Sequence, residues 1–118
     1  MNSVNLIGRL TDYPNVQYVG EKSFAVANFT VAIDRNEDIT DFISCKAVGK
    51  TAEFIDKYVT KGQKIGVSGS IQQDVWEDTD KEKHYRTYVF VNRVDFAESK
   101  REDKENDKNK GRNKGRHI

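Results

Sequence analysis

The chain is poor in several features that would each have pointed to a function. It has one cysteine, Cys45, so no internal disulfide can form, and this suits a reducing cytosol. It has one proline, Pro14, which falls in the polar run Asp12, Tyr13, Pro14, Asn15 and marks a turn. No apolar run approaches the roughly 18 residues needed to cross a bilayer. The N-terminus lacks a basic segment followed by an apolar one, which excludes a secretory signal and points to the cytoplasm. Cys45, His84 and His117 do not cluster, so no metal site or other cofactor is expected. No phosphate-cradling glycine loop is present, and no Ser or Cys sits beside a credible base. The chain reads as a non-enzyme. It also lacks a charge of one sign: 20 Lys and Arg oppose 19 Asp and Glu, for a net +1. Taken alone, that balance argues against a nucleic-acid partner.

The balance is a sum of unlike parts. Residues 1–96 hold 12 Lys/Arg and 14 Asp/Glu, a net −2, whereas residues 97–118 hold 8 and 5, a net +3. The second segment has no aromatic residue and nothing to anchor it to a core, so a disordered charged tail is expected over 97–118. Its last eleven residues, 108–118, carry five basic side chains and no acid. They suit either a solubilising tail or an arm that seeks phosphates.

What remains, residues 1–96, alternates with the period of strands. Val4, Leu6, Gly8 and Leu10 share one face of a first strand. A short strand around Val16 to Val19 comes next. In the longer strand after it, Ala25, Ala27, Phe29, Val31 and Ile33 share a face. Ile43, Cys45 and Ala47 then oppose Phe42, Ser44, Lys46 and Val48. The period changes at Ala52, Ile55, Tyr58 and Val59, which predict one helical face, with Thr51 as N-cap and Gly62 just beyond the end. Strand alternation resumes at Ile65, Val67, Gly69 and Ile71 towards Trp76. A charged loop, residues 77–83, separates it from Tyr85 to Val91, and Val94 and Phe96 close the domain. The fold class expected is mainly β: a five-stranded OB-fold Greek-key barrel with one short helix between strands 3 and 4. On pattern alone, a small α+β sheet competes with it.

Four collinear stretches carry a resemblance. They are Val4-Asn5-Leu6-Ile7-Gly8-Arg9-Leu10-Thr11 with Pro14 and Tyr18; Ala25 to Ala32; Asp41-Phe42-Ile43-Ser44-Cys45 running to Gly49-Lys50-Thr51-Ala52-Glu53; and Tyr58 with Lys61-Gly62 before Val67-Ser68-Gly69. Together they resemble bacterial and phage single-stranded DNA-binding proteins over nearly all of residues 1–96. The resemblance implies an OB-fold, a homotetramer, and sequence-independent binding and protection of single-stranded DNA in replication, recombination and repair. The alternative is an OB-fold interaction module of a replisome or primosome whose DNA face has been repurposed.

Sequence-independent binding needs cations along the phosphates and aromatic faces on which any base can stack. Trp76 and Phe42 match stacking positions of the family, against a core or interface role for each. Tyr85 and Tyr18 are further candidates, although Tyr is common in strands. Lys46, Lys50 and Lys61 lie in family-like surroundings, and Arg9, Lys83 and Arg86 complete the candidate phosphate ligands. Two departures stand out. Val48 and the pair Asn36-Glu37 are not aromatic where family members often are. The chain also ends basic, where cellular members usually end in an acidic tip that recruits partner enzymes. The expectation is therefore that this docking is absent, that the protein belongs to a phage, a plasmid or another mobile element or is a specialised paralogue, and that it works in the cytoplasm or nucleoid of a bacterial host.

Overall fold

The computed structural model describes residues 1–98. Six strands and one helix run in the order β1 (Val4–Leu10), β2 (Asn15–Val19), β3 (Phe24–Asp34), β4 (Thr40–Val48), α1 (Gly49–Tyr58), β5 (Lys64–Glu77) and β6 (Lys83–Phe96). Pairing runs β1-β5-β6-β4-β3-β2, and β1 also pairs with β3 at Arg9↔Ala32 and Leu10↔Val31. That extra contact closes β1, β3, β4, β6 and β5 into a ring. All neighbours are antiparallel except β4 and β6, which run parallel at Cys45↔Val89 and Lys46↔Phe90. The ring is the five-stranded OB barrel expected. The short segment around Val16 to Val19 adds a sixth strand, β2, on the edge of β3, so the helix follows the fourth strand rather than the third.

The barrel closes tightly because its inward positions are small. Ala25, Ala27, Cys45 and Ala47 are fully buried, and Val31, Ile65, Val67, Val89 and Val91 fill the space between them. At the β1–β3 crossing, Gly8 leaves room that any side chain would take. A Cβ there would meet the Ala32 carbonyl oxygen and the Val31 side chain at 2.5 Å. Helix α1 packs across one end against β3, β4 and β6. Its Ala52 and Ile55 are buried, as is Val59 just beyond it, whereas Tyr58 is 40% exposed and rests on Phe54, ring centroids 5.1 Å apart. Tyr58 is thus at the margin of the buried face rather than within it.

Both helix ends differ from expectation. Val48 is the N-cap, with extended backbone and no capping side chain, so α1 starts at Gly49 and Thr51 lies inside its first turn. The helix stops at Val59, whose N–H still donates to the Ile55 carbonyl. Gly62 belongs instead to the next turn, where its N–H donates to the Leu10 carbonyl, and the Leu10 N–H donates to the Gln63 carbonyl. That turn is sealed by buried Gln63, whose Oε1 accepts the Thr60 N–H at 3.0 Å.

Beyond Phe96, two residues stay attached. The Ala97 N–H donates to the Lys64 carbonyl, and the Glu98 carboxylate accepts from the Lys64 N–H and from Arg9. The rest of the expected tail, residues 99–118, lies outside the described residues. Among the described residues, no helix is long and apolar enough to cross a membrane.

Cys45 is fully buried, and burial pushes its thiol up to about 12. A thiol that stays protonated is not a nucleophile. The folded protein at pH 8 is therefore expected to resist an aromatic disulfide reagent, and to release one equivalent of chromophore per chain once unfolded in guanidinium. Prompt reaction of the folded chain would contradict the placement of Cys45.

Candidate nucleic-acid interface

The strands β5 and β6 are longer than the barrel needs. Above their contacts with β1 and β4 they continue together as a two-stranded arm, from Gln72↔Tyr88 to Glu77↔Lys83. The turn at its tip, residues 78–82, is closed by Asp78: its N–H donates to the Glu82 carbonyl and its Oδ1 accepts the N–H groups of Asp80 and Glu82. Asp78 Oδ2 in turn lies 2.7 Å from His84 Nε2. Among the described residues, no cluster of three or more potential metal ligands occurs.

Because cross-strand partners share a face, the register sorts the arm's side chains into two sets. One face carries Gln72, Asp74 and Trp76 from β5 with Tyr88, Arg86 and His84 from β6. The other carries Gln73, Val75 and Glu77 with Thr87, Tyr85 and Lys83. The first face continues onto the outside of the barrel, since Tyr88 and Phe90 share a side of β6 and Phe90 pairs with Lys46 of β4. Phe42 lies on the same side of β4 as Lys46, four residues earlier in the strand.

This outer face thus gathers Trp76, Phe42, Lys46 and Arg86 from the sequence candidates. Phe42 is 65% exposed and Trp76 49%. Tyr88, from the same face, is buried. Lys46 Nζ is 5.6 Å and the Arg86 guanidinium 5.4 Å from the centre of its ring, within the range of cation–π attraction. The Tyr88 hydroxyl sits 3.3 Å from Gln72 Oε1 and from Asp74 Oδ1, and burial, then the Asp74 carboxylate, raises its pKa. Tyr88 therefore acts as an anchor for two flexible cations on the face that also carries Phe42 and Trp76. The loop below Phe42 is held by the Arg35–Asp41 ion pair at 2.7 Å and by Asn36 Oδ1, which accepts the Asp38 and Ile39 N–H groups.

The other candidates fall elsewhere. Tyr85 and Lys83 are on the opposite face of the arm, with Val75 and Glu77. Tyr18 donates its hydroxyl to Asp56 Oδ2 of α1 at 2.7 Å, a bond that raises its pKa, so it fastens β2 to the helix. Lys50 opens α1 beside a shallow cleft that it lines with Thr51, Phe54, Arg93 and Val94. Lys61 is exposed in the turn after the helix. Arg9 is on the outside of β1, but its guanidinium donates to the Gly62 carbonyl at 3.0 Å and pairs with Glu98 at 3.2 Å. An exposed pair of this kind contributes about 0–1 kcal/mol. Arg9→Ala is accordingly expected to change affinity for oligo(dT) by less than about twofold, while lowering stability by no more than ~1 kcal/mol. Fluorescence anisotropy and a denaturant melt check both figures, and a tenfold loss of affinity would return Arg9 to the interface.

Sequence reasoning missed three members of the outer face. Phe24 is half exposed with its ring against Gly49. Its signal was available: with Ala25, Ala27 and Phe29 inward, the alternation turns Phe24 outward alongside Val26 and Asn28. Tyr88 and His84 carry no such signal, because their places depend on the β5–β6 register.

The profile of the single-strand binding protein family matches residues 1–97. The chain is 46% identical over 101 residues to a single-stranded DNA-binding protein of Clostridium perfringens, covering 84% of this chain and 67% of that one. It is 37% identical to single-stranded DNA-binding protein 1 of Clostridium acetobutylicum, covering 86% and 98%. It is 36% identical to single-stranded DNA-binding protein 1 of Synechocystis, covering 87% and 88%.

Proposed function

The chain belongs to the single-strand binding protein family, and from that premise we propose that it binds and protects single-stranded DNA, without reading sequence, during replication, recombination or repair. The role is one of binding rather than catalysis. The observation that carries this reading is the pairing of two exposed aromatic platforms, Phe42 and Trp76, with two cations, Lys46 and Arg86, on one outer face. Aromatic faces accept any base, and lysine and arginine follow the backbone, so the combination suits an unpaired strand and discriminates poorly among sequences.

The near-neutral net charge is compatible with this. A face can be locally basic on a domain that is slightly acidic as a whole, and the local field is what a phosphate meets. Residues 1–96 supply the binding module in this proposal. A homotetramer is its working assembly, supported by the family relationship, and a light-scattering mass of four times the 13.5 kDa of one chain is the expected result.

The experiment is a gel shift with labelled oligo(dT), a mixed-sequence strand of equal length, and the matching duplex. Equal retardation of the two single strands at a protein concentration that leaves the duplex free is expected. Preference for the duplex, or for one single-strand sequence by more than about tenfold, would overturn the proposal.

A further inference from the structure

Trp76 and His84 are cross-strand partners near the tip of the arm, and their rings are stacked, with centroids 5.6 Å apart and planes inclined by 23°. The imidazole therefore covers one face of the indole at the spacing usual for aromatic pairs. His84 Nε2 lies 2.7 Å from Asp78 Oδ2. Asp78 is itself immobilised, because its other oxygen accepts two backbone N–H groups of the turn at 2.8 and 2.9 Å. The His84 contact first, and those N–H groups after it, hold the Asp78 carboxyl below its ordinary value. A carboxylate fixed in the turn thus grips the edge of a ring whose face rests on the tryptophan. The other charged groups on this face are Asp74 from β5 and Arg86 from β6, while Glu77 and Lys83 project from the opposite one. Neither β1 nor β4 pairs with the arm at this level.

We propose that His84 is a positioning residue for Trp76: it occupies one face of the indole, so that a base stacks only on the other, and Asp78 holds it there. The inference rests on the reading that Trp76 stacks on single-stranded DNA. A lone exposed indole at the end of a two-stranded arm turns about its side-chain torsions and offers either face or its edge. Backed by the imidazole, it offers one, and the ordering cost of binding is met within the folded protein rather than on contact with DNA. The complex is then a three-layer stack of base, indole and imidazole.

Trp76 is the sole tryptophan, so quenching of the intrinsic emission by a neutral solute such as acrylamide reports how much of its indole is uncovered. In the DNA-free protein, quenching by acrylamide is expected to rise in His84→Ala, where the second indole face is opened, and to stay near wild type in His84→Phe. For oligo(dT) at pH 7.5, His84→Phe keeps a ring against the indole and stays within about twofold of wild type, whereas His84→Ala loses about fivefold. Rescue by phenylalanine separates positioning from a contact of the imidazole with DNA. Equal acrylamide quenching in the wild type and in His84→Ala would overturn the proposal, as would full affinity in His84→Ala, or an equal loss in both variants. Failure of the underlying DNA reading has a different signature, since Trp76→Ala would then bind oligo(dT) unchanged.

Discussion

Replacing Phe42 and Trp76 together by alanine is expected to weaken binding to oligo(dT) by between about 30-fold and about 20,000-fold, with no change in fold. Base–aromatic stacking is worth roughly 1–3 kcal/mol per base, so two platforms supply about 2–6 kcal/mol, and each 1.4 kcal/mol is a factor of ten. Both side chains project from the outer face and contribute little to the packed interior, which is filled by Ala25, Ala27, Val31, Cys45, Ile65 and Val67. The melting temperature is therefore expected to stay within about 2 °C of wild type, since surface changes usually cost under ~0.5 kcal/mol. What survives in the double variant is the phosphate attraction of Lys46 and Arg86, so its residual binding is expected to collapse as salt is raised. Tyr85→Ala is the control. Tyr85 is 60% exposed, more than Trp76, yet lies on the other face of the arm. Its removal is expected to cost less than that of Trp76 alone. Anisotropy of a labelled oligo(dT) measures all three variants.

Gly69→Ala is expected to cost about 3 kcal/mol or more of folding stability, although it adds only one methyl group. Gly69 sits where the β5–β6 register shifts. Ser68 pairs with Arg93 and Gly69 with Val91, leaving Asn92 without a partner in the ladder. At this bulge the two strands close up, and a Cβ on Gly69 would run into the Phe90 carbonyl and come within 3.0 Å of the Val91 Cα. These neighbours are backbone and cannot rotate away, so the strands must part. The same bulge lies at the root of the arm, and a bulge bends its strand and so re-aims the residues beyond it. Any folded fraction of the variant therefore presents Trp76 at an altered angle to Phe42. A urea melt measures the first effect, and an unchanged midpoint would show that the bulge tolerates a side chain.

Gly69 also marks the limit of what the sequence discloses. The string Gly66-Val67-Ser68-Gly69 reads as strand because Ile65, Val67, Gly69 and Ile71 alternate, and strand is what forms. Alternation does not say which strand of a pair skips a residue. That depends on Asn92, 23 positions later, being left out of the ladder. The two faces of the arm depend in turn on this register, so the grouping of Trp76 with Arg86, and of Tyr85 with Lys83, was beyond reach of a linear pattern. The core was legible for the opposite reason. Burial of Ala25, Ala27, Phe29 and Val31 is decided by the pleat of their own strand, and that of Ala52 and Ile55 by the turn of their own helix. Where a partner is distant, local rules fail. Tyr18 meets Asp56 across 38 residues and Arg9 meets Glu98 across 89, and each is diverted from the role its residue type suggested. Thr51 failed as a cap because Gly49, with φ at +64°, lets the chain turn into the helix three residues sooner, with Val48 as the N-cap.

The charges obey the same division. Counting them over the whole chain gives +1, a value that describes no part of the surface. On the outer face, Lys46 and Arg86 are laid against Tyr88, and on β1 the Arg9 charge is matched by Glu98. The field at a phosphate is set by those placements.

The most direct test of the account is a titration of the protein's intrinsic fluorescence with oligo(dT), because its one tryptophan is the proposed stacking platform. The account predicts saturable quenching of Trp76. A mixed-sequence strand gives the same quenching, duplex gives none, and the logarithm of the affinity falls linearly with log salt concentration at a slope of about −0.7 per phosphate contacted. Emission that stays constant while oligo(dT) is bound, or no binding at all at low salt, would contradict it.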